Sequence, residues 1–145
     1  MRLVLHAVAR VLVLLLLFAP PALAQGVPGD ADKQAIVGII QKQLDAFQGD
    51  RAAEAFGYAS ANIQRMFGTA DNFLGMVRTG YPAVYRPKSI DFRELVTIEG
   101  RIVQKVLFVG PDGVPVIADY FMEQQPDGSW RINGCQMETG ADQSA

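Results

Sequence analysis

The chain has 145 residues, 13 Lys and Arg against 15 Asp and Glu, a formal net charge of −2, one histidine and one cysteine. That length suits a single domain with its own core, and the slightly acidic balance excludes a nucleic-acid surface. The one histidine, His6, falls in a segment expected to be removed. Ser-His-Asp and Cys-His catalysis, and a zinc site built on His and Cys, are excluded with it.

In chain order, the first 24 residues read as a secretory signal. Arg2 and Arg10 supply the positive region, and Val11 to Phe18 form a short apolar run. Pro20 and Pro21 break any helix ahead of Ala22-Leu23-Ala24. Small residues three and one positions before the bond suit signal peptidase, which places cleavage between Ala24 and Gln25. The run is well short of the roughly 20 residues needed to span a bilayer, so no stable membrane insertion is expected after cleavage. No cysteine follows the cut and no Arg-Arg pair precedes it, against a lipoprotein and against twin-arginine export. The expected location is the periplasm or the exterior.

Residues 25–31 read as a flexible lead-in, 32–138 as one domain and 139–145 as a disordered tail. Asp32 is placed to cap a helix running to about Gln48, where Ile36, Ile40, Leu44 and Phe47 share a face. Gly49 and Asp50 punctuate it before a short Ala-rich helix, RAAEAFGYA. SANIQRMFG adds helix up to Gly68, with Ile63, Met66 and Phe67 on one side. Thr69 caps ADNFLGMVRT, and Gly80 closes it.

TGYPAVYRPK follows, with two readings. As a site, Tyr81 and Tyr85 would line a cavity mouth, with Arg86 as an anion-binding fork. As structure, Gly80, Pro82 and Pro87 brace a helix-to-strand crossover, and the arginine pairs with a carboxylate.

Beyond it the apolar period changes from helix to strand. Ile90 and Phe92 alternate with Asp91 and Arg93, EGR makes a turn, and IVQKVLFV reads as a central strand. GPDG and QPDGS are turns that bound VPVIADYFMEQ, and WRINGCQM is the fourth strand. Close turns make these neighbours antiparallel. Helices first and then a meander predict an α+β domain, with the N-terminal helices on one face of a four-stranded antiparallel sheet.

Two polar residues fall in the apolar phase: Glu94 with Ile90, Phe92, Val96 and Ile98, and Gln104 with Ile102, Val106 and Phe108. Either both enter the interior as orienting groups of a pocket, or a β-bulge near Glu94 turns it outward. Of the neighbours Asp119 and Tyr120, Tyr120 is the residue in phase with the inside. Val103, Leu107, Val109, Ile117 and Phe121 fall on the opposite face, where an open apolar patch would need a cover. Cys135, with no partner for an intramolecular disulfide, is expected to pack as a small hydrophobe. Trp130 is expected in the core.

IQRMFGT, MVRTGYPAVYRP and the closing PDGSWRINGC resemble a family of small exported bacterial proteins described as domain of unknown function 4864. The resemblance runs from about Ile36 to Cys135. The helices-then-sheet order and DGSWRI are also similar, more remotely, to the cystatin-like superfamily of nuclear-transport-factor-2-like folds. That similarity implies a curved sheet wrapped into a cone around a helix, with a cavity, and it implies no activity.

The leading expectation is therefore a non-enzymatic domain binding a small apolar or amphipathic ligand between helices and sheet. Its polar lining would come from Tyr81, Tyr85, Arg86, Glu94, Gln104 and Tyr120. The alternative is a dimerisation or docking module using Val103, Leu107, Val109, Ile117 and Phe121. Third stands an enzyme with Glu94 as general base. Candidate partners are thus a small molecule or a second copy of the chain, with no cofactor and no metal site expected.

Overall fold

The computed structural model describes residues 27–138. The predicted signal segment, its cleavage site and the tail at 139–145 lie outside the described residues.

Helix α1 spans Asp30–Gln48. Ile36, Ile40, Leu44 and Phe47 are all buried on one face, as their spacing predicts. The helix starts two residues before the expected Asp32. Gly29 is the cap residue, and the Asp32 carboxylate reaches back to accept from the Gly29 amide at 3.3 Å. The other Asp32 oxygen accepts from the indole N–H of buried Trp130 at 3.3 Å, tying the start of α1 to the start of the last strand.

Four short helices follow: α2 (Ala52–Gly57), α3 (Ala61–Phe67), α4 (Ala70–Gly80) and α5 (Pro82–Tyr85). The α1–α2 turn is made by Asp50 at φ 52 rather than by Gly49, whose φ is −91. An aspartate tolerates that left-handed conformation better than most side chains. Ser60 caps α3 by accepting from the Ile63 amide at 3.3 Å, and Thr69 caps α4 through the Asn72 amide at 3.1 Å. Gly68, at φ 76, supplies the left-handed step between them. Pro82 opens α5 at its first position, where a missing amide hydrogen costs nothing.

Strands β1 (Ser89–Ile98), β2 (Arg101–Val109), β3 (Pro115–Gln124) and β4 (Trp130–Met137) form one antiparallel sheet in the order β1-β2-β3-β4. The β1–β2 turn has Glu99 and Gly100 both at positive φ, 50 and 76, which matches the twist of the strands it joins. The helices cover one face of the sheet, giving the predicted α+β architecture.

Two bulges bend the sheet. In β1, Arg93 and Glu94 together stand opposite Lys105. In β4, Asn133 is the extra residue, between the pairs Phe121–Gly134 and Met122–Ile132. The outer side of β4 is covered by the α2–α3 link. Ser60 N–H donates to the Ile132 carbonyl and Ile132 N–H to the Tyr58 carbonyl, each at 2.9 Å. Ser60 Oγ–H also donates to Asn133 Oδ1 at 2.7 Å, so the bulge residue is held by the cap of α3.

Candidate functional site

The β1 bulge decides the fate of two candidates at once. After Phe92 the strand shifts phase by one residue, so Leu95 packs on the core and Glu94 is exposed. Glu94 therefore does not enter the interior, and it cannot act there as a general base. A bulge leaves backbone carbonyls without ladder partners, and Gln104 meets that need. Its amide N–H groups donate to the carbonyls of Arg93 at 2.8 Å and Lys105 at 2.9 Å, with Glu94 at 3.4 Å. Gln104 is completely buried, as its phase predicts, but its role is to satisfy the bulge rather than to line a pocket.

Tyr85 and Arg86 lie elsewhere again. Tyr85 donates its hydroxyl to Asp50, and the guanidinium groups of Arg78 and Arg86 lie 5.4 and 4.9 Å from its ring centroid. Both arginines also reach Asp50, at 3.4 and 3.2 Å. The Tyr85 hydrogen bond, with help from the two arginines, holds the Asp50 carboxyl below its usual range. This half-exposed cluster joins the α1–α2 turn to α4 and α5. In TGYPAVYRPK, Tyr85 and Arg86 brace the crossover, whereas Tyr81 turns inward.

The interior between helices and sheet contains a cavity of about 210 Å³. Phe47 of α1, Ile63, Met66 and Phe67 of α3, Phe73, Met76 and Val77 of α4, and Val84 of α5 give it apolar walls. Its floor is Tyr120 on β3 with Ile132, Gly134 and Cys135 on β4. Phe73 organises the helical wall, with its ring 5.4 to 5.9 Å from those of Phe47, Phe56 and Phe67. At the mouth, Met66 is 66% exposed, and α3 carries no fully buried residue.

Polar groups in this wall are few. Tyr81 O–H donates to the Cys135 carbonyl at 3.2 Å, and burial raises its pKa. Gln43 donates its amide to the Ala55 carbonyl at 3.1 Å. Tyr120 is 1% exposed, and its hydroxyl has no hydrogen-bond partner. The Cys135 thiol lies close enough to influence its titration without meeting hydrogen-bond geometry. Burial pushes the Tyr120 phenol well above its usual value and the Cys135 thiol up to about 12, so both keep their protons at neutral pH. Cys135 is half-buried rather than sealed in the core, because it is part of the cavity floor.

Of the six candidate lining residues, then, the structure brings Tyr81 and Tyr120 to the cavity and places Tyr85, Arg86, Glu94 and Gln104 away from it. The apolar helical residues of the wall were missed. Gln43 was missed too, although it sits seven residues after Ile36 on the apolar face, a spacing that marks a polar group turned inward.

On the other face of the sheet, Val103 is completely buried and Leu107, Val109, Ile117 and Phe121 are half-buried. The sheet's own side chains cover part of this face. The Arg101 guanidinium lies 4.3 Å from the centre of the Phe121 ring. Lys105 bridges Asp119 at 2.9 Å and also Glu138 in the middle of the face. Among the described residues, no helix is long and apolar enough to cross a membrane, and no group of three Cys, Asp or Glu residues could hold a metal ion.

No curated protein and no solved structure matches the chain. One family model does, that of the domain of unknown function DUF4864, over residues 29–145, and to this family the chain belongs.

Proposed function

We propose that this protein is a small exported domain that binds an apolar or amphipathic small molecule in the cavity between its helices and its sheet, without catalysing a reaction. The observation that carries the reading is an apolar cavity of about 210 Å³ lined in part by Tyr120, whose buried hydroxyl has no partner. Apolar walls held against water and an unpaired polar group each destabilise the domain. A bound molecule offsets both. The mouth supports the same reading, because an exposed methionine at the rim of an apolar cavity is suited to a flexible first contact. Helices over the concave face of a bent sheet also agree with the cystatin-like cone that the sequence resembles. Export rests on Arg2, Arg10 and the apolar run ending before Ala22-Leu23-Ala24.

The test is native mass spectrometry of the protein purified from its own host. A chain beginning at Gln25 and carrying an added mass on the order of 110 Da is expected, scaling from benzene filling a cavity of about 150 Å³. A Val77→Phe variant, which fills the cavity from α4, should lose that mass while remaining folded. Bare protein in both samples would count against the reading.

A further inference from the structure

The chemistry of the wall narrows the ligand further, and this step rests on the reading of the cavity as a ligand site. No Lys, Arg, Asp or Glu lines it. The arginines Arg78 and Arg86 are held by Asp50 and Tyr85 on the surface. A carboxylate or phosphate placed inside would be desolvated with no counter-charge, a cost of several kcal/mol. Among the wall's hydrogen-bond donors, the Tyr81 hydroxyl is already committed to the Cys135 carbonyl at 3.2 Å, and the Gln43 amide to Ala55. The Tyr120 hydroxyl is wholly without a partner, buried beside the weak donor of the Cys135 thiol, and the Gln43 amide keeps one further N–H beyond the one it gives Ala55.

From this we infer that the cavity takes an uncharged molecule of roughly eight to ten heavy atoms, scaling from benzene in about 150 Å³, with a single carbonyl-type oxygen that accepts the Tyr120 hydrogen bond. The rest of the ligand is apolar and lies against Phe47, Phe73 and Val77. A ketone, aldehyde or ester has this chemistry, whereas a fatty acid anion does not. Tyr120 fixes the ligand's orientation, and the phenyl and aliphatic walls supply most of the contact area.

Three probes of nearly identical shape separate the possibilities: acetophenone, α-methylstyrene, which replaces the carbonyl oxygen by CH₂, and benzoate. Calorimetric titration of the full protein is expected to give acetophenone a lead of about five- to tenfold over α-methylstyrene, the worth of one net hydrogen bond. Benzoate should not bind measurably. Tyr120→Phe should erase the lead while leaving α-methylstyrene binding intact, which also shows that the variant is folded. Equal binding of acetophenone and α-methylstyrene to the unaltered protein would overturn the acceptor assignment and leave a purely apolar site. A preference for benzoate would overturn the exclusion of anions. If none of the three binds, the carbonyl assignment falls, and the mass retained by the protein from its own host still decides separately whether the cavity is a ligand site.

Discussion

Cys135 shows how position alone sets the chemistry of a side chain. Its thiol forms part of the floor of an apolar cavity, and burial, assisted by the charge of Asp119, raises its pKa from an ordinary 9.0 to about 12. The thiolate is the reactive form, so at pH 8 the rate of alkylation should be roughly a thousandfold below that of a free thiol. Iodoacetamide labelling followed by intact-mass measurement tests this. Slow labelling in buffer and fast labelling in denaturant are expected. A rate near that of a free cysteine in the folded protein would mean that the cavity floor is openly hydrated. Cys135 was legible as a small residue of the last strand, but not as cavity wall, because strand periodicity gives the face of a residue and not the space in front of it.

At the scale of elements, the α2–α3 link carries more than its length suggests. Ser60 is completely buried, caps α3 through Ile63, pairs its backbone with Ile132 and donates its hydroxyl to Asn133. Ser60→Ala removes the cap and leaves the Asn133 oxygen without its donor, at a cost of about 1–2 kcal/mol. A melting temperature lower by about 4–8 °C per kcal/mol is expected for a domain of this size. Hydrogen exchange should quicken first at Ile63 and its neighbours in α3. Unchanged exchange there would show that α3 is held by its apolar contacts instead. The bulges explain what sequence could not convey. A period-two pattern through Ile90, Phe92, Glu94 and Val96 has no way to register one extra residue. Glu94 and Gln104 then look like two interior polar groups, when one is the outward side of a bulge and the other its hydrogen-bond donor. The stripe Ile36, Ile40, Leu44 and Phe47 was legible because nothing interrupts its period, and β2 and β3 were legible for the same reason.

For the molecule as a whole, stability depends on both the shared core and the surface cluster around Asp50, which links three helical elements outside it. The Asp50 carboxyl titrates below its ordinary value of 3.8 in the folded protein, chiefly through Tyr85. A group whose folded pKa is lowered stabilises the fold above its unfolded pKa, and that contribution disappears as pH falls through the folded value. Stability should therefore decline as pH falls from about 5 toward 2. Asp50→Asn should be less stable than the unaltered protein at neutral pH and should show a shallower decline with acid. Chemical denaturation at a series of pH values reads both effects. Parallel pH profiles for the two proteins would assign the acid sensitivity to other carboxylates.

The β1 bulge also bears on how this protein avoids its own kind. A meander has two outermost strands, each a template on which another chain could extend the sheet. β4 is engaged on its outer side at Ile132, which pairs with Tyr58 and Ser60. On β1, the bulge breaks the regular spacing of backbone groups and presents two exposed charged residues, Arg93 and Glu94, at the break. Both borders are thus interrupted, β4 at Ile132 and β1 at its bulge, and each interruption works against edge-to-edge stacking of copies.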